Sequence, residues 1–118
     1  YKNMSSFSDQ SKSYLTELVR LASNSPKAFS YEKIVVDGTV KRLTIPIDAR
    51  YAIISLESVD TGIAARFLET NQTTVTSSIG MPLYNGTTYD ILDYQNLSQF
   101  QIIRAQSGAT SLNVQYYK

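Results

Sequence analysis

Phe100-Gln-Ile-Ile-Arg-Ala105 is an apolar run; Gln106-Ser-Gly-Ala109 breaks it; Ser111-Leu-Asn-Val-Gln-Tyr-Tyr-Lys118 then alternates, with Leu112, Val114 and Tyr116 on one face. Period-two alternation around a Gly-containing break predicts two strands joined as a β-hairpin. Working back along the chain, the same signals recur. Tyr51-Ala-Ile-Ile-Ser-Leu56 is the most apolar run and reads as a central strand. Ala64–Glu69, carrying Phe67, and Thr88–Leu92 read as shorter strands, and Phe29–Val36 is rich in aromatic and β-branched residues. Asp37-Gly38 predicts a two-residue turn returning as a strand over Thr39–Ile45. Asp93–Gln99 reads as a connection, and the Ser/Thr/Asn-rich stretch Thr70–Ser78 as an exposed loop.

About seven short strands at turn spacings of eight to twelve residues predict a mainly β fold, an antiparallel β-sandwich or jelly-roll-like barrel. Its core is expected to hold Leu43, Ile54, Leu56, Phe67, Ile102, Leu112 and Val114. One helix is expected, from about Ser8 to Ala22. There Tyr14, Leu15, Leu18, Val19 and Ala22 recur at three- and four-residue spacing, Ser8 and Asp9 suit its start, and Asn24 and Pro26 stop it. The chain thus divides into an N-terminal arm and amphipathic helix (residues 1–27) and a β-sandwich domain (28–118). The stripe Tyr14, Leu15, Leu18, Val19 and Ala22 is the candidate assembly interface, covered either by the chain's own sheet or by a neighbouring subunit. The start at Tyr1 rather than Met implies a processed product or the ordered part of a longer protein.

Composition narrows the function. A chain of 118 residues suits a single domain. Net charge is +1 and only 18% of residues are charged, which offers no basic patch for nucleic acid and no polybasic membrane signal. No segment reaches the ~20 apolar residues of a membrane span. Cysteine and histidine are both absent, so disulfides, thiolate nucleophiles, the usual zinc sites and imidazole acid–base chemistry are excluded.

The remaining candidates for chemistry are weak. Glu57 and Glu69 sit at strand ends and would have to face each other across a cleft to hydrolyse a glycoside. Asp90 and Asp93 straddle a strand end but lack the run of oxygen ligands that calcium needs. Gly62, Gly80, Gly86 and Gly108 are isolated, so no phosphate-cradling loop is present. Triplets at Asn3, Asn71, Asn85 and Asn96 match the glycosylation pattern, as expected by chance in a chain this rich in Asn, Ser and Thr. The expectation is a protein that is not an enzyme and has no cofactor, metal or catalytic residue.

From about Arg50 to Lys118 the chain resembles a small β-domain of tailed-bacteriophage virion accessory proteins: head decorations, head fibres and tail-associated components. The resemblance rests on Ala49-Arg-Tyr-Ala-Ile-Ile-Ser-Leu-Glu-Ser58, Ala65-Arg-Phe67, Ser78-Ile-Gly-Met-Pro-Leu83, Phe100-Gln-Ile-Ile-Arg-Ala105 and Leu112-Asn-Val-Gln-Tyr-Tyr-Lys118, in that order. Thr70–Ser78 lacks the Gly- and Pro-bearing loop that the family pattern often carries after its second strand. The resemblance implies a structural protein on the surface of the virion, a capsid-decorating or head-fibre subunit. Its partners would be the phage major capsid protein or another virion protein, and copies of itself as a homo-oligomer. The alternatives are a glycan-binding module for adsorption to a host glycan, with exposed Tyr rings stacking on sugar, and a tail-associated fibre component.

Overall fold

The computed structural model describes residues 25–118. The expected helix over Ser8–Ala22, with Tyr14, Leu15, Leu18, Val19 and Ala22, lies outside the described residues. The described chain is mainly β, with seven strands in antiparallel sheets and no closed barrel. In order these are β1 (Ala28–Val36), β2 (Tyr51–Ser58), β3 (Ala65–Leu68), β4 (Met81–Leu83), β5 (Thr88–Ile91), a short helix α1 (Tyr94–Gln99), β6 (Gln101–Arg104) and β7 (Thr110–Tyr117). One sheet has the order β1-β7-β2-β5, the other β4-β3-β6.

Alternation decides which side of each strand is buried. In β7, Leu112, Val114 and Tyr116 point inward, as do Ala52, Ile54 and Leu56 of β2. They meet Ala65, Phe67, Leu83 and Ile102 of the smaller sheet in one core. The Phe67 ring lies 5.7 Å from Phe100 and 4.8 Å from Tyr89, distances at which aromatic pairs attract beyond their area burial. Of the expected core residues, Ile54, Leu56, Phe67, Ile102, Leu112 and Val114 are buried, and Leu43 is partly buried against the cluster.

Three local expectations are corrected. Phe100–Ala105 and Ser111–Lys118 do not form a hairpin: β6 pairs with β3, and β7 lies in the other sheet between β1 and β2. The connection between them is an arch across the sandwich. Gln106 fastens it, its Nε2 donating to the carbonyls of Thr61 and Ile63 at 2.7 and 2.8 Å. The Gly108 N–H bonds Asp60 Oδ2 at 2.9 Å, and a Cβ on Gly108 would lie 2.3 Å from Asp60 Oδ1. Second, Asp37-Gly38 makes no two-residue hairpin. That turn needs positive φ, and neither residue has it. The Asp37 carboxylate instead accepts the Thr39 N–H and hydroxyl at 2.9 and 2.6 Å. The chain then crosses to β6, where Lys41 and Ile102 exchange N–H···O bonds of 2.8 and 3.0 Å. Third, Tyr94–Gln99 is a helix rather than an irregular connection, and it drives Leu97 into the core.

Thr70–Ser78 is more ordered by the core than its polar composition suggests. Val75 is buried within it. Buried Gln101 of β6 accepts the Val75 N–H at 3.1 Å and donates to the carbonyls of Thr70 and Thr73, both at 2.7 Å. Arg66 of β3 holds the far side through the carbonyls of Ser77 and Gly80 at 3.1 and 2.9 Å.

Candidate attachment surface

The strand register gathers several segments at one end of the sandwich. Ala28 of β1 and Tyr51 of β2 both pair with Tyr117, and Ala52 pairs with Ile91 of β5. Residues before β1, before β2, after β5 and after β7 therefore meet there. Lys27 and Lys118 exchange backbone bonds of 3.0 Å in both directions, so the chain preceding residue 27 joins the domain at this end.

Local backbone chemistry pushes apolar side chains outward here. The Ala49 N–H bonds the Pro46 carbonyl at 3.2 Å, and Asp48 takes φ 72°, a conformation that Asp tolerates better than most residues. The turn lifts Ile47 into solvent at 87% exposure. Past β5, Leu92 is 72% exposed, and Tyr94 at the start of α1 is 56% exposed. Tyr94 lines a shallow depression with Asp48, Ala49, Arg50 and Lys118. Lys118 leans its ammonium over the Phe29 ring, 5.0 Å from its centre. Large apolar groups rimmed by charges of both signs are the anatomy of a protein contact rather than of a reaction site. Composition and periodicity single out none of Ile47, Leu92 or Tyr94.

The outward face of the larger sheet carries a second, polar arrangement. Tyr31 donates its hydroxyl to Asn113 Oδ1 at 2.5 Å, Asn113 Nδ2 donates to Glu57 Oε1 at 2.7 Å, and Lys33 sits 3.6 Å from Glu57 Oε2. The Asn113 bond and then the Lys33 charge hold the Glu57 carboxyl below its usual range. Nearby, Tyr51 and Tyr117 stack with ring centres 4.6 Å apart and planes 2° apart. They face each other and do not lie side by side in one plane, so each covers a ring face that a sugar would need.

The structure does not bring Glu57 and Glu69 together. Glu57 lies on the outer face near the end of β2, and Glu69 follows β3 in the other sheet. Burial pushes the Glu69 carboxyl up, and the Tyr89 hydroxyl opposes that shift. Inside the core, the Tyr116 hydroxyl donates to Glu32 Oε2, which also accepts the Thr44 N–H at 3.0 Å. Desolvation, and then the hydrogen bond to Glu32 and its charge, push the Tyr116 phenol far above its usual value. Its proton belongs to a structural bond. Among the described residues, no three Asp or Glu side chains converge as a metal would require, Asp90 and Asp93 included, and no helix is long and apolar enough to cross a membrane. Compared with protein families, with curated proteins and with solved structures, the chain shows no significant match.

Proposed function

We propose that this chain is a non-enzymatic structural protein of a bacteriophage particle, a capsid-decorating or head-fibre subunit that acts by protein–protein contact at the virion surface. The observation that carries the reading is the cluster of Ile47, Leu92 and Tyr94 at the end of the sandwich where residues 1–27 join. Three large side chains that are more than half exposed at one site are a liability on a free monomer and an asset in a contact. The resemblance of residues 50–118 to virion accessory domains supplies the identity of the partner, the major capsid protein or another virion protein. The stripe Tyr14, Leu15, Leu18, Val19 and Ala22 precedes Lys27 in the chain and would extend the contact towards the capsid or a sister subunit. A stable contact of this type buries roughly 800 Å² on each side, and repetition over a shell multiplies a modest affinity. The face-to-face stack of Tyr51 on Tyr117 gives the glycan alternative less support.

Purified particles of the phage that encodes the chain test the reading directly. The chain is expected as a stoichiometric particle component by mass spectrometry. An Ile47→Asp, Leu92→Asp double variant should remain folded and lose at least about tenfold in particle binding, or ~1.4 kcal/mol. A Leu18→Asp variant should do likewise. Absence of the chain from particles, or full binding by these variants, would sink the proposal.

A further inference from the structure

A sheet that does not close on itself has two edges, and each edge strand presents backbone groups that natural proteins usually cover or blunt. Three of the four edges here are dealt with. β4 is short and contains Pro82, and β5 is short and presents Asp90. β6 is met by the Lys41 backbone and by the Asp37 carbonyl, which accepts the Arg104 N–H at 2.9 Å. β1 is different: at nine residues it is as long as any strand in the domain, and it has no proline.

The register shows which of its groups are free. Lys118 exchanges backbone bonds with Lys27, so alternation along β7 turns Tyr116, Val114, Leu112 and Thr110 towards β1; past an irregularity between Ala28 and Ser30 the register sets these against Ser30, Glu32, Ile34 and Val36, whose backbone therefore faces β7. Tyr31, Lys33 and Val35 consequently turn their N–H and C=O outward, with no backbone partner among the described residues. The devices that would discourage pairing are weak. The one lysine on the strand, Lys33, is drawn back over the sheet by Glu57 at 3.6 Å. Val35 stands 68% exposed and Tyr31 60% exposed beside the open edge.

We infer that β1 is a strand-addition site and that its partner is β1 of a second copy of this chain, antiparallel about a two-fold axis at Ile34. Charge selects the register. A two-fold centred on Glu32 sets two carboxylates opposite each other, and one centred on Lys33 opposes two ammonium groups; like charges in directly opposed positions are destabilising. Centring on Ile34 avoids both. It places Ile34 against its own copy, at the margin of the core, and the Lys33 stem over the second copy's Val35. The N–H and C=O groups of Lys33 and Val35 then bond those of the opposite Val35 and Lys33. The two larger sheets join into one continuous sheet, and the exposure of Val35 is accounted for. This contact is independent of the end cluster that carries the attachment reading.

The test uses the full chain bearing Leu18→Asp, so that association through the N-terminal stripe does not obscure the result. Sedimentation velocity over a concentration series should show a monomer–dimer equilibrium. Lys33→Pro removes an outward N–H, together with the exposed Lys33–Glu57 ion pair, and leaves every β7 bond in place, as an edge strand tolerates; Val35→Lys adds charge to the edge. Each should weaken dimerisation at least about tenfold, corresponding to ~1.4 kcal/mol. Amide exchange at Tyr31, Lys33 and Val35 of the unsubstituted strand should slow as the concentration rises, while exchange at Asn113 stays constant. A monomer at every concentration, or dimerisation that neither substitution alters, would overturn the inference. Concentration-independent exchange at Lys33 and Val35 would overturn it even if the substituted chains failed to fold.

Discussion

Replacing Gln101 by leucine tests whether the β3–β4 loop is part of the folded core. The Gln101 side chain is 2% exposed and makes three hydrogen bonds, to the Val75 N–H and to the carbonyls of Thr70 and Thr73. Leucine is of similar size, so packing changes little, but all three bonds disappear and the buried Val75 N–H loses its acceptor. At about 1 kcal/mol per net bond, with a partial offset from the more apolar side chain, the expected loss is ~2–3 kcal/mol. Urea denaturation should show it as a lower midpoint at unchanged slope. If the loop opens locally, the Val75 amide should exchange roughly 30–150-fold faster, which is the same free energy in rate form. Gln101→Glu provides the internal control. It keeps an acceptor for Val75 but sets a carboxylate against two carbonyls, so it should cost more than leucine at neutral pH. Acidification should relieve that cost, because the protonated carboxyl donates again. A loss under about 1 kcal/mol for Gln101→Leu, with an unaltered Val75 amide, would show that the loop is held by something other than Gln101.

Further outcomes follow from the core and from two carboxyl groups. Ile54→Ala should destabilise by ~2–4 kcal/mol and Val114→Ala by somewhat less, as cavities in a close-packed interior do; fast amide exchange across Tyr51–Leu56 in the unsubstituted protein would contradict that topology. The Thr39 hydroxyl and N–H, with Lys41, lower the Asp37 carboxyl from 3.8 to about 2. Its folded value lies below its unfolded one, so its contribution is present above pH 3.8 and is lost as pH falls through 2. Asp37→Asn should flatten thermal-melt stability over that window; an unchanged acid limb would refute the assignment. Glu69 has the opposite sign. Burial raises its folded value above 4.5, so its contribution is complete below that pH and is lost as pH rises through the folded value. Glu69→Gln should therefore be more stable than the parent at pH 7 and equal to it at pH 4, and a destabilised variant at pH 7 would be the contrary result.

Burial was legible from alternation, whereas pairing was not. Leu112, Val114 and Tyr116 on one side announce an inward face, and the structure buries all three; the apolar run Tyr51–Leu56, read as a central strand, buries Ala52, Ile54 and Leu56. A period of two says nothing about which strand lies alongside. Consecutive segments around Gln106–Ala109 thus looked like a hairpin, although the partners of β7 are the distant β1 and β2. The arch depends on Asp60 and Gln106 reaching across the domain, and no local pattern records that. Asp37-Gly38 carried a strong turn signal, but the Asp37 side chain found Thr39 first and left the backbone at negative φ. Helix α1 buries only Leu97 and is too short to display a helical period. Of the attachment surface nothing was foreseeable: that Ile47, Leu92 and Tyr94 share one end of the sandwich depends on the sheet register.

In the larger sheet no two neighbouring strands are consecutive in the chain, and β7 fills the place between β1 and β2. During synthesis β1 and β2 leave the ribosome well before the strand that separates them. Until β7 arrives, each lacks the partner on its β7 side, and the inner faces of Ile54 and Leu56 have no Val114 or Leu112 beside them. The nascent chain must therefore hold β1 and β2 apart, or leave them unpaired, through most of its translation. Direct pairing of β1 with β2 is the natural misfold, and it would have to break before the domain could close. Folding of this domain should accordingly be late and cooperative, governed by the longest-range contacts in the chain.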